Sequence, residues 1–182
     1  MSRRIASLVK IFCTDSNKFE AERGPINDQD LRAGLGITYR YYTGKPLYRY
    51  GHGESYTEFT YAWSQPPPSS MSTQAAAAGF ALSVSVANTG STASDCVVLA
   101  FGSLTGADCP LRTLIGFERL SLVRPGATAT ATLAVDPRTL GCVDTVGVRT
   151  LRAGTLSLEA GDVVAPAKHS VTLTGPDLVM PV

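Results

Sequence analysis

The chain has 182 residues, a net charge of +1 from 16 Lys and Arg against 15 Asp and Glu, 44% hydrophobic residues and 17% charged residues. That length suits one ordinary domain with an arm, and the hydrophobic share is enough for a core, which excludes a globally disordered chain. A charge this balanced leaves no electrostatic footprint for nucleic acid or an anionic membrane surface, so neither is expected as a partner.

No run approaches the roughly 18 apolar residues that a membrane-spanning helix needs. Only two histidines are present, His52 and His169. A multi-histidine metal site is therefore excluded, and no metal or cofactor is expected. The four cysteines, Cys13, Cys96, Cys109 and Cys142, form no C-x-x-C pair, which argues against zinc. Cys96 lies in the apolar run Cys96-Val97-Val98-Leu99 and reads as a small buried hydrophobe. Four cysteines in a chain of this length are not dense, so free or partly buried thiols are expected in preference to a disulfide framework.

In chain order, Ile5, Leu8, Val9 and Phe12 share one face of a short amphipathic helix. Lys10 interrupts that run, so no signal peptide is expected. Asn27-Asp28-Gln29-Asp30 reads as a turn or cap, and Gly34 and Gly36 break any helix that follows. This arm has too little apolar surface to fold by itself. All seven tyrosines and the single tryptophan fall within residues 37–63, from Tyr39 to Trp63. Such a cluster belongs in an interface or under a loop rather than on a sugar-stacking platform. Residues 64–79, rich in Pro, Ser and Ala, are expected to be a solvated low-complexity loop between strands.

From residue 80 the period is two. Phe80, Leu82, Val84 and Val86 mark a strand that ends at Asn88-Thr89-Gly90. Further strands are expected around Val97 to Phe101, over Leu114 to Phe117 and Leu120 to Leu122 as either one strand or two, from Ala127 to Val135 after the Arg124-Pro125-Gly126 turn, over 154–161 and over 169–174. Short alternating runs between turn signals predict a mainly β, antiparallel, immunoglobulin-like β-sandwich with an irregular N-terminal arm.

No catalytic constellation is evident. Gly51-His52-Gly53-Glu54-Ser55 suggests a Ser–His pair, but it lacks the G-x-S-x-G elbow and its strand-to-helix setting, and reads as a tight glycine turn. Glu54, Glu58, Asp95, Asp108, Glu118, Asp136, Asp144 and Asp162 qualify by type alone for the paired carboxylates of glycoside hydrolysis. Most stand at strand ends or turns, where Asp serves local backbone hydrogen bonds. Glu118-Arg119 reads as a charged pair on the outer side of a strand. The expected catalytic, cofactor and metal residues are therefore none.

Three blocks carry a resemblance. They are Gly36-Ile-Thr-Tyr-Arg-Tyr-Tyr-Thr-Gly-Lys-Pro-Leu-Tyr-Arg-Tyr-Gly-His-Gly-Glu-Ser-Tyr-Thr-Glu-Phe59; Leu82-Ser-Val-Ser-Val-Ala-Asn-Thr-Gly90 followed by Asp95-Cys-Val-Val-Leu-Ala-Phe101; and Leu114-Ile-Gly-Phe-Glu-Arg-Leu-Ser-Leu-Val-Arg-Pro-Gly126. In this order they resemble the C-terminal, fibronectin type III-like end of glycoside hydrolase family three, the β-xylosidase and β-glucosidase type, over roughly residues 27–175. Tyr50 stands where the family usually has Phe, and Glu54 where Leu is common.

The resemblance implies that residues 1–45 are the tail of the family's second, α/β domain and that 46–182 form the sandwich, with 64–79 a loop within it. It places the catalytic Asp nucleophile in a (β/α)₈ barrel and the general acid/base in the α/β domain. A barrel alone takes about 250 residues, so no catalytic role carries over to a position in this chain. The implied function is a non-catalytic module that packs against the catalytic domains of a parent glycosidase through the aromatic segment. The alternative is a free-standing sandwich that binds carbohydrate or a protein partner. Family members are often secreted, and no compartment follows from the residues themselves.

Overall fold

The computed structural model describes residues 31–106 and 108–181. Cys13, the helix expected over Ile5 to Phe12 and the cap expected at Asn27 to Asp30 lie outside them. The chain divides into two compact units, 1–46 and 47–182. In the described part of the first, one four-residue helix, α1 (Thr38–Tyr41), follows Gly36, whose φ is +78°. Thr43 closes this unit by donating from its backbone N to Leu35 O at 2.8 Å.

The second unit is the sandwich. One sheet has three strands in the order β1 (Phe59–Gln65), β3 (Phe80–Asn88), β6 (Thr128–Val135). The other has five, in the order β2 (Ser70–Ser72), β10 (Ala167–Thr174), β9 (Gly154–Gly161), β4 (Ser94–Leu104), β5 (Thr113–Val123). A small third sheet joins β11 (Leu178–Val179), β8 (Arg149–Leu151) and β7 (Cys142–Val143).

The alternation seen in the sequence becomes the core because successive side chains on a strand point to opposite faces. Leu82, Val84 and Val86 of β3 and Ala131, Leu133 and Val135 of β6 face Cys96, Val98 and Ala100 of β4 and Leu156, Leu158 and Ala160 of β9, all buried. Pairing is antiparallel except between β10 and β2, which run parallel.

Two expectations are corrected, and the choice between one strand and two over Leu114 to Leu122 is resolved. Residues 64–79 are not a solvated loop throughout. Ser70–Ser72 forms β2, and Thr73–Ala77 forms a helix, α2, capped by Ser72 Oγ accepting from Ala75 N at 3.1 Å. Thr73 and Ala76 are fully buried, and Thr73 Oγ1 donates to Pro176 O at 2.8 Å. The helix ends in three alanines, Ala75 to Ala77, with Ala78 as its C-cap, and alanine loses no side-chain entropy in a helix, which composition alone disguises as low complexity. Cys109 and Cys142 form a disulfide, whereas Cys96 is a buried free thiol as expected. Long-range strand order brings together two cysteines separated by 33 positions in sequence, and spacing could not show this. Leu114 to Phe117 and Leu120 to Leu122 belong to one strand, β5, whose register against β4 shifts twice and in which Leu122 takes φ +49°.

Candidate functional site

Residues 47–58 precede β1 and form a strap over the outer face of the five-stranded sheet. Arg112 holds the strap there. Its guanidinium lies 3.5 Å from the centroid of the Phe101 ring, donates to Tyr50 O at 3.3 Å and pairs with Glu159 at 3.5 Å. Gly51 has φ +89°, and a Cβ there would stand 2.9 Å from Leu99 Cδ1 and 3.1 Å from Phe101 Cζ. Only glycine both adopts that backbone and leaves room for the apolar side chains beneath.

Beside the strap runs a trough of about 530 Å³. Glu54, Glu58, Asp95 and Asp162 line it together with Val97 and Tyr61. Asp95 is engaged. Arg119 donates to it, and Leu122 N donates to its Oδ1 at 2.8 Å. The Arg119 guanidinium and that amide hold the Asp95 carboxyl below its ordinary range. Arg119 therefore pairs with Asp95 across the strands, not with Glu118 beside it.

At the floor, Tyr61 Oη and Cys96 Sγ are 3.4 Å apart. Burial raises the pKa of both groups, and for Tyr61 the contact with Cys96 raises it further. A thiol held neutral in this way is a poor nucleophile.

The remaining carboxylates named from sequence are dispersed. Asp136 accepts from Arg138 and caps the 3₁₀ turn Pro137–Leu140. Asp144 accepts from Val146 N and Val148 N, Asp162 accepts from Val164 N, and Asp108 lies 3.4 Å from Arg152. Each of these serves a turn or an ion pair.

His52 stacks on Tyr48 at 4.9 Å, and Ser55 Oγ accepts from Thr57 N at 3.3 Å, so the Gly-His-Gly-Glu-Ser segment is a turn with its polar groups used locally. His169 packs edge-on against Trp63. Among the described residues no three of His, Cys, Asp and Glu converge as a metal-ligand set.

The aromatic cluster is divided. Tyr61 and Trp63 are half-buried against the core, and Trp63 Nε1 donates to Lys168 O at 3.0 Å. Tyr48, Tyr50 and Tyr56 remain exposed.

A family model for the fibronectin type III-like domain matches residues 97–163. The probable exo-1,4-beta-xylosidase xlnD of Aspergillus flavus is 35% identical over 158 residues, covering 74% of this chain and 20% of that protein. The corresponding protein of Aspergillus clavatus is 30% identical, covering 88% and 23%. The solved structure of the GH3 exo-beta-xylosidase XlnD in complex with a xylobiose aziridine activity-based probe superposes with a TM-score of 0.77 at 28% identity, covering 88% of this chain and 23% of that one. DesR, a beta-glucosidase from Streptomyces venezuelae, gives a TM-score of 0.62 at 29% identity, covering 78% and 18%.

The chain therefore contains a fibronectin type III-like domain in a β-sandwich. It is similar to part of these xylosidases and beta-glucosidases, and it spans about a fifth of the length of the curated relatives it matches.

Proposed function

We propose that the chain acts as the accessory module of an exo-β-xylosidase-like family-three glycosidase, packing on catalytic domains and stabilising them without supplying a reacting group. One observation carries this reading: the match takes in three-quarters of this chain and only a fifth of each xylosidase. The geometry agrees with it. Asp95, Asp108, Asp136, Asp144 and Asp162 are used in turns or ion pairs, and the Cys96 thiol beside the trough is held neutral by burial.

The test has two arms. The purified chain is assayed on a chromogenic xyloside and a chromogenic glucoside, and no hydrolysis is expected. The chain is then grafted into the Aspergillus oryzae exo-1,4-beta-xylosidase in place of its matched fifth, and the chimera is expected to hydrolyse the xyloside. Hydrolysis by the isolated chain that disappears when one of its own carboxylates is replaced would overturn the reading.

A further inference from the structure

Arg112, which clamps the strap, lies one residue outside the sheet. The β4–β5 ladder ends at the pair Gly102 and Thr113. Beyond it β4 runs on against β9, as far as Leu104 opposite Leu156. Arg112 therefore closes the loop 105–112, and its placement follows from what holds that loop.

The loop is tied at both ends. Thr105 donates from its N and its Oγ1 to Thr155 O, at 3.1 and 3.2 Å. Near the other end, Cys109 is bonded to Cys142. Cys109 and Pro110 are buried, whereas Thr105, Gly106 and Leu111 are exposed. Cys142 is a fixed anchor, since it pairs with Thr150 in the β7–β8 ladder and belongs to the core. Pro110 and Leu111 alone separate Cys109 from Arg112, and the proline ring locks its own φ. A segment this short and stiff passes a shift of Cys109 on to the Arg112 guanidinium.

The two halves of the strap are held differently. Arg112 meets the first half, donating to Tyr50 O while it lies over Phe101. Gly51 of the same half rests on Leu99 and Phe101. The last residues are held by the turn after β3 instead. Thr57 Oγ1 donates to Asn88 Oδ1 at 2.6 Å, and Thr89 N donates to Glu58 O at 2.9 Å. Loss of the Arg112 clamp thus bears on residues 47–53 and leaves 57–58 in place.

We propose that the Cys109–Cys142 bond is a redox-sensitive latch for the strap: closed, it holds Arg112 against Phe101 and Tyr50, and opened by a dithiol it lets residues 47–53 lift from Leu99 and Phe101. In the opening step the S–S bond takes up two electrons and two protons and leaves thiols on Cys109 and Cys142, while the dithiol closes to its own disulfide. The latch is a property of the chain alone and goes beyond the accessory-module reading without depending on it.

Amide hydrogen exchange on the full chain tests it, because local opening of a strap is read separately from global unfolding. The reporters are the amides of 47–53, where His52 N donates to Arg49 O, and the Thr89 amide bonded to Glu58 O. Reduction with dithiothreitol, or Cys109→Ala with Cys142→Ala, should raise the ratio of the first rates to the second at least about fivefold. Arg112→Ala with the disulfide intact should raise the same ratio, and adding it to the cysteine variant should raise it no further. Coupling is reciprocal, so Arg112→Ala should also lower the dithiothreitol concentration that half-reduces the Cys109–Cys142 bond. An unchanged ratio on reduction, an Arg112→Ala effect that adds in full to that of the cysteine variant, or an unmoved half-reduction point would each overturn the latch. If the cysteine variant fails to fold, the half-reduction point decides alone.

Discussion

Asn88 ends β3, and its buried side-chain amide makes four hydrogen bonds to three other segments. Nδ2 donates to Thr92 O at 2.8 Å and to Val123 O at 2.9 Å, while Oδ1 accepts from Thr57 Oγ1 at 2.6 Å and from Gly90 N at 3.1 Å. The Asn-Thr-Gly motif that reads in sequence as a strand end is thus a buried polar junction between the strap, the turn after β3 and the end of β5. A buried amide is kept because every one of its hydrogen-bonding positions is used. Replacing Asn88 with Ala leaves Val123 O and its neighbours without partners, each worth roughly 1–3 kcal/mol when buried. A total loss of about 3 kcal/mol is expected in urea unfolding, and a loss below about 1 kcal/mol would show that water replaces the amide.

Tyr61 gives a pH dependence. Its folded pKa lies above the ordinary phenol value, chiefly through burial. Its contribution to stability is complete below the unfolded pKa of about 10 and declines as pH rises beyond it. Tyr61→Phe should therefore flatten the alkaline limb of the stability profile above about pH 10 and leave neutral stability within about 1 kcal/mol. Parallel alkaline limbs for the two proteins would contradict it.

The strands were legible in sequence because burial imposes period two, but which apolar set faces inward was not. In β4 both Cys96, Val98 and Ala100 and the alternate Val97, Leu99 and Phe101 are apolar, and only the first set lies in the core. The second set is apolar because the strap covers Leu99 and Phe101, a contact between distant segments that no local pattern records.

The same limit hid α2, whose Ala-rich sequence looks like linker until Thr73 meets Pro176, 103 positions away. It also hid the Cys109–Cys142 bond. That cross-link closes a loop spanning β5, β6 and the 3₁₀ turn, with a sequence separation of 33. Chain-entropy loss for such a loop corresponds to about 4 kcal/mol at 25 °C. Cys109→Ala with Cys142→Ala, or reduction of the native chain, should lower unfolding stability by about 2–4 kcal/mol, read from the midpoint in guanidinium at unchanged slope. An unchanged midpoint on reduction would mean that packing alone holds the β5–β7 region.

The sandwich must also avoid pairing with itself, and its open edges are unequally defended. β6 pairs with β3 in regular register along its length, carries neither charge nor proline, and among the described residues has no backbone partner on its other edge. An edge of this kind is a template for an added strand. β5 runs alongside it, since a Cβ at Gly116 would stand 2.9 Å from Ala134 O.

Glu118 stands opposite the fully buried Val98, and so on the core-facing side of β5, yet it is exposed. Glu118 is two residues along the same face of β5 from Gly116, the residue that approaches β6 at Ala134 O. A carboxylate there would be desolvated by any strand added to β6, at a cost that rises if no cation accompanies it. Inward-pointing charge on an edge is a recognised defence against such pairing. Glu118→Val removes the charge, adds β propensity and leaves the monomer's core untouched. The variant should unfold within about 0.5 kcal/mol of the parent but self-associate with rising concentration in sedimentation velocity, while Glu118→Gln, which retains the polar group, should associate less. A Glu118→Val chain that stays monomeric at every concentration where the parent does would mean that Glu118 does not protect the β6 edge.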